Sequence, residues 1–172
     1  RAVARRDRDG AQQRRTRPPN GKGVRRPPGE RTNARPQVIL VDAGPLIALI
    51  DRGEPDHERC VAILSKLTAP MVTTWPAFTE AMYLLGSAAG WKAQEALWKL
   101  LDRGDLQLVP IDDAVQDRTQ ALMAKYRDLP MDLADATLVA AAEALGLTRV
   151  FTLDRDFQVY RWRGKRKFEV IP

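Results

Sequence analysis

The 172-residue sequence holds one cysteine and one histidine. A lone thiol, Cys60, excludes an internal disulfide, and a lone imidazole, His57, excludes a metal site built from clustered histidines. The two lie three residues apart, but no third group accompanies them to orient a Cys–His nucleophile. No apolar run approaches the roughly 18 residues of a membrane-spanning helix, and there is no secretory apolar segment. No membrane role is expected, and a reducing cytoplasm fits the cysteine usage. Branched aliphatic residues are almost missing from the first 35 positions, where only Val3 and Val24 occur. That stretch carries 12 of the 28 basic residues and 3 of the 22 acidic ones, a net of +9. The rest of the chain is left with 16 basic and 19 acidic residues, a net of −3. The overall charge of +6 is thus the charge of a tail, and a basic-protein argument for nucleic-acid binding does not extend to the remainder.

Residues 1–35 are rich in Arg, Pro, Gly and Gln and cannot bury enough surface to offset their chain entropy. They are expected to be disordered, as an upstream extension or a nonspecific nucleic-acid-binding arm. The scarcity of acids also allows an organellar targeting peptide, although Pro and Gly interrupt any amphipathic helix. Residues 36–172 form the expected folded domain, and 44% apolar content suffices for one core.

From Gln37 the pattern changes. QVILVDA is a continuous apolar run ending in an acid, as in a strand buried on both faces. Gly44-Pro45 opens a short helix through Ile50, and His57 to Leu67 is a second helix. Ala69 to Thr74 is a strand, followed by a helix from Pro76 to about Ser87. That helix is apolar nearly all round, which predicts burial. Trp91 to Leu101 is amphipathic, Asp105 to Ile111 a strand, and Asp112 or Asp113 caps a helix to about Arg127. Pro130 to Gly146 is strongly punctuated: Pro130 before it, Asp132 as a candidate N-cap, Gly146 at the C-terminal end. Arg149 to Leu153 is a further buried strand, the basic stretch RWRGKRK reads as a turn, and Phe168 to Ile171 is a last strand. Strands alternating with helices predict an α/β fold, a parallel sheet between two helical layers. Trp75, Trp91 and Trp98 suit either core packing or an interface.

In such a sheet, ligands bind outside the carboxyl ends of the strands. Asp42 lies at the end of the first strand, and Asp154 and Asp156 follow the penultimate one. Asp132 and Asp135 share the first turn of a helix that opens on the same edge, and Glu80 lies one turn into another. Each has an ordinary alternative as a cap, a turn residue or a solvated side chain. Jointly, those alternatives require several independent coincidences. Clustered carboxylates repel and lose their charge on burial unless a cation is present. Hard divalent ions take oxygen ligands, and Mg²⁺ combines a few carboxylates with waters and substrate phosphate oxygens. Such a site binds and hydrolyses a phosphodiester without any histidine.

The stretches VDAGPLIAL around Asp42, FTEAMYLL around Glu80, MDLADATLVAAAEALG around Asp135 and VFTLDRDFQVYR around Thr152, Asp154 and Asp156 occur in the order found in a known family. Over Gln37 to Arg161 the chain resembles the PIN-domain ribonucleases, most closely the VapC-type toxins of bacterial toxin–antitoxin pairs. The resemblance implies a three-layer α/β/α, Rossmann-like domain and a metal-dependent endoribonuclease using Mg²⁺ or Mn²⁺. It implies main acidic roles for Asp42, Glu80, Asp135 and Asp154, with Asp42, Asp135, Asp154 and the auxiliary Asp156 at the metal. Thr152 is implied as a supporting hydroxyl, while Asp132 suits capping as well as metal binding. A homodimer and a cognate antitoxin are implied as partners of the protein beside its RNA substrate. Arg161, Arg163, Lys165, Arg166 and Lys167 are candidates for holding RNA phosphates. Two rivals remain. One is a PIN-fold module that binds RNA or protein without cleaving. The other is an aspartyl phosphatase, which wants a second acid where Gly44 stands.

Overall fold

Ile39, Leu40 and Val41 have no exposed surface at all, and around this strand the fold is arranged. The computed structural model describes residues 38–129 and 131–171; the expectations for residues 1–35 and for Pro130 lie outside them. In chain order the elements are β1 (Ile39–Val41), α1 (Ala43–Ile50), α2 (His57–Leu64), β2 (Met71–Thr73), α3 (Trp75–Ala89), α4 (Trp91–Asp102), β3 (Leu106–Leu108), α5 (Asp113–Lys125), α6 (Leu133–Leu145) and β4 (Arg149–Phe151). A 3-10 turn (Arg155–Gln158) follows, then β5 (Arg161–Trp162), β6 (Arg166–Lys167) and β7 (Glu169–Ile171).

Five strands form one parallel sheet in the order β3-β2-β1-β4-β7. Leu40 is in register with Val72 on one side and Val150 on the other. Successive residues of a strand point to opposite faces. Leu40, Val72 and Val150 accordingly join the core under α5 and α6, and Ile39, Val41 and Met71 the core under α1, α2 and α4. This is the expected three-layer α/β/α arrangement.

Helix α6 is buried over ten consecutive residues, Ala134 to Glu143, because α5 and α3 pack against it beside the sheet. Its many alanines allow that closeness. It starts at Asp132, whose carboxylate accepts the Asp135 N–H at 2.8 Å, and ends at Gly146 with φ 73°, the left-handed value that glycine adopts freely.

Several expectations are corrected. The helix expected to be buried is α3, and it is open on one side: Tyr83 is 72% and Leu84 40% exposed, because its neighbours cover only the Ala77, Phe78, Ala81 and Leu85 side. Trp91 at 66% and Trp75 at 49% exposed are not core residues. Strand β3 stops early, since Val109 gives its N–H to the Thr73 carbonyl and Pro110 has none to continue the ladder. Helix α2 stops at Leu64, where Lys66 and Leu67 switch to bonds with carbonyls three residues back. The basic turn is a two-stranded antiparallel hairpin, β5–β6, with Arg163 and Gly164 both at positive φ. Among the described residues no helix is long and apolar enough to cross a membrane.

Candidate active site

The carboxyl edge of the sheet is where strands turn into helices. Asp42 leaves β1, donates its N–H to the Phe151 carbonyl of β4, and caps α1 by accepting the Ala43 N–H at 2.7 Å. Its second oxygen accepts the Thr152 hydroxyl at 2.7 Å. Thr152, just past β4, in turn accepts the Asp154 N–H at 2.9 Å. One buried threonine therefore fixes the carboxylate of β1 relative to the turn after β4. Asp154 caps the 3-10 turn by accepting the Asp156 N–H. Asp132 and Asp135 enter from the start of α6. Glu80 enters from α3, whose first turn is tied to α6 by a hydroxyl pair, Thr74 to Thr137, at 2.9 Å.

These elements enclose a cavity of about 270 Å³ lined by Asp42, Glu80, Asp132, Asp135 and Asp154, with Ala43, Gly44 and Leu153 completing the wall. Among the described residues no basic side chain lines it. Burial raises the Asp42 carboxyl above its usual range, against the Thr152 and Ala43 hydrogen bonds, and the charges of Asp154 and Asp132 add to the rise. Asp135 is 8% exposed, and burial, then the Asp132 charge, pushes it up to about 7 although Tyr160 donates to it. Glu80 is exposed over much of its side chain but is also raised, by partial burial first and then by Asp132, Asp42 and Asp154.

Asp132, Asp135 and Asp154 each use one oxygen in a hydrogen bond within the chain. Their other oxygens have no protein donor among the described residues. All the donors are hard carboxylate oxygens, which suits Mg²⁺ or Mn²⁺ better than a metal that prefers thiolate or imidazole. Among the described residues no three acidic, imidazole or thiol side chains close into a ready-made cage. The donor set therefore fits a hydrated cation that shares its coordination between these carboxylates, its own waters and a substrate phosphate, as Mg²⁺ does.

The sequence-predicted acids do not all meet. Asp42, Glu80, Asp132, Asp135 and Asp154 share the cavity, whereas Asp156 lies outside its wall, one turn on, and offers its backbone N–H to Asp154. Thr152 stands behind the wall as a buried support. Of the five basic residues, two are occupied internally. The Arg161 guanidinium holds the carbonyls of Gln158, Val159 and Tyr160. Arg163 gives its N–H to Glu143 at 2.6 Å and its guanidinium to the Glu143 carbonyl, and lies over the Trp162 ring. Lys165, Arg166 and Lys167 are left on the exposed side of the hairpin. His57 does not pair with Cys60: its Nδ1 donates to the Ala48 carbonyl at 2.7 Å, and Cys60 is fully buried.

Tyr160 was not legible as a site residue. Its hydroxyl donates to Asp135 at 2.9 Å, and its ring is packed edge-on against Tyr126 and Phe157. An aromatic residue ending a turn carries no sign in the sequence that its hydroxyl reaches a carboxylate 25 positions earlier.

Known proteins resemble this chain in sequence and in fold. Ribonuclease VapC26 of Mycobacterium tuberculosis is 28% identical over 120 residues, covering 69% of this chain and 89% of the relative. The crystal structure of VapC20 from the same species, described as a sarcin–ricin loop cleaving toxin, superimposes with a TM-score of 0.68 at 18% identity, over 74% of this chain and 98% of that one. A toxin–antitoxin complex from Klebsiella pneumoniae gives 0.58 at 18% identity, over 78% and 96%. The family model described as the PIN domain matches residues 39–162, a span that holds every acid of the cavity, and the chain belongs to the PIN-domain family.

Proposed function

We propose that this chain is a divalent-metal-dependent endoribonuclease, acting in the cytoplasm as the toxin of a toxin–antitoxin pair. The observation that carries the reading is the cavity at the carboxyl edge, which gathers five carboxylates and, among the described residues, no cationic side chain. The ribonuclease named among its relatives supports RNA as the substrate, and the toxin–antitoxin complex among its structural neighbours supports a protein antitoxin as partner.

Asp42, Asp135 and Asp154 would hold Mg²⁺ or Mn²⁺, with Asp132 on the rim and Asp156 acting only through Asp154. When bound, the cation lowers the pKa of water and neutralises charge on the attacked phosphodiester. The chain does the rest. Thr152 and the Ala43 N–H keep the Asp42 carboxylate in one orientation. Tyr160 does the same for Asp135. Glu80, with its raised affinity for a proton, would give one to the leaving oxygen as a general acid. Lys165, Arg166 and Lys167 supply positive charge for the RNA backbone that the cavity lacks. The exposed Tyr83, Leu84 and Trp91 offer apolar surface through which two copies would pair.

Cleavage of a fluorescein-labelled single-stranded RNA in Mg²⁺, and its loss in EDTA, test the reading, together with thermal melts. Millimolar Mg²⁺ is expected to stabilise the protein by roughly 1–3 kcal/mol when it is about 10- to 100-fold above Kd. A melt indifferent to Mg²⁺ and Mn²⁺, with no metal-dependent cleavage, would overturn it.

A further inference from the structure

Beside the acidic cavity lies a second recess of about 280 Å³. The two share a wall, Leu153 and Asp154, which is the link between β4 and the 3-10 turn. Thr152 also borders the recess and gives its hydroxyl to Asp42 of the first cavity. The recess differs in chemistry from its neighbour. It has two guanidinium groups, Arg59 of α2 and Arg155 of the 3-10 turn, a neutral amide, Gln158, and an apolar patch at Val170.

We propose that this recess is the subsite for the nucleotide adjacent to the scissile phosphate of a single-stranded RNA. The proposal rests on the nuclease reading and adds to it where the substrate strand goes and what recognises it. A strand whose scissile phosphate lies at the carboxylates and which crosses Leu153 and Asp154 enters the recess directly.

The flanking phosphate meets Arg155, which has no ion pair or hydrogen bond among the described residues. Arg59 pairs with Asp56 at 3.2 Å, but both side chains are well exposed, at 53% and 40%. Such a pair is worth little, so Arg59 is free to turn to a phosphate. The two acids in the recess do not cancel this charge: Asp56 is the partner that Arg59 leaves behind at the rim, and Asp154 belongs to the metal side. Gln158 is presented on fixed backbone, since its carbonyl accepts the Arg161 guanidinium at 2.8 Å, and its amide has no partner among the described residues. An amide pairs with a base edge through one donor and one acceptor, the mode by which unstacked bases of single strands are read. The volume is just under the about 300–1,000 Å³ of ordinary small-ligand pockets, room for one nucleotide and too little for a duplex.

The test uses the full chain with Arg155→Ala, Arg59→Ala and Gln158→Ala, all exposed positions, and a fluorescein-labelled single-stranded RNA oligonucleotide. Arg155→Ala is expected to raise KM about tenfold with kcat little changed, and to lower the slope of log affinity against log salt by about one. Its Mg²⁺-induced melting shift should equal that of wild type, which separates a lost contact from a damaged metal site. Arg59→Ala should act in the same direction. Gln158→Ala should erase a base preference at one position flanking the cut in a randomised RNA pool. An unchanged KM and salt slope in both arginine variants, or a fall in kcat alone, would overturn the subsite. If wild type itself cleaves nothing, the nuclease reading fails separately, and fluorescence anisotropy with the same oligonucleotide decides: affinity about tenfold weaker in Arg155→Ala sustains the subsite, and equal affinity removes it.

Discussion

Asp135 is 8% exposed, has one oxygen held by Tyr160, and is raised to about 7 by burial and by the Asp132 charge. An unfolded aspartate releases its proton near pH 3.9. Between about pH 4 and pH 7 the folded protein therefore holds a proton that the unfolded chain has lost, and protonation favours folding. The stability of the metal-free protein is expected to fall as pH rises through that window, by up to about 4 kcal/mol from a shift of this size, with Asp42 acting in the same direction. Added Mg²⁺ should oppose the fall and stabilise more strongly at pH 8 than at pH 5, because it competes with the proton. Urea unfolding in EDTA at pH 5, 6, 7 and 8 measures this, and stability that rose with pH would refute it. A single charge in the cavity is best removed at Asp154. Asn keeps the oxygen that accepts the Asp156 N–H, whereas at Asp42 both oxygens are in use. Asp154→Asn in EDTA is expected to melt at or above wild type, since it relieves repulsion, and to lose most of the stabilisation by Mg²⁺ and nearly all cleavage. A variant that kept the full metal shift would take Asp154 out of the ligand set.

Helix α6 joins two functions at its two ends. Its first turn presents Asp132 and Asp135 to the cavity, and its last turns hold the hairpin β5–β6 through Glu143. That carboxylate receives the Arg118 guanidinium at 2.6 and 3.1 Å and the Arg163 N–H at 2.6 Å, while Trp162 donates to the Ala142 carbonyl. Arg163 sits at φ 47°, a left-handed conformation that costs a residue with a side chain about 1–2 kcal/mol, and Glu143 is what holds it there. Glu143→Ala should cost about 1–3 kcal/mol, less than breaking a fully buried pair, because Arg118 is 35% exposed and can reach water. The effect should concentrate in the hairpin, as faster hydrogen exchange at the Arg163 amide; unchanged exchange and stability would refute it. The same region shows what was legible in the sequence. The caps Asp132 and Gly146, the buried run of β1 and the alternation of strands with helices are local signals, and they led to α6, the parallel sheet and five acids on one edge. The hairpin was read as a turn because its strands are two residues each and carry charge instead of alternation. Its stability comes from Glu143, 20 residues away. The exposure of α3 was missed because an apolar stripe shows that a helix can be buried, not how many neighbours it has.

At the scale of the whole molecule the charge is divided: net +9 over residues 1–35 and net −3 over the rest. On the proposed reading the acidic cavity would attract RNA only with a cation in place, and the arginines of the neighbouring recess leave the sign of the domain unchanged. The N-terminal stretch is then expected to be the main long-range attractor for a polyanion. It carries none of the cavity acids, and the match to the PIN family model lies within residues 39–162. Removing residues 1–35 is therefore expected to leave the Mg²⁺-dependent cleavage rate at saturating RNA within about twofold of the full chain. Nonspecific RNA affinity should drop most at low salt, and the slope of log affinity against log salt should flatten by about 0.7 for each phosphate contact removed from a single strand. At high salt the two proteins should converge, because the screened tail contributes little beyond a Debye length of about 3 Å at 1 M. Anisotropy titrations across a salt series, paired with single-turnover cleavage, measure both. A truncated protein that melts normally, still shifts with Mg²⁺, and yet has lost cleavage would place part of the chemistry in the tail.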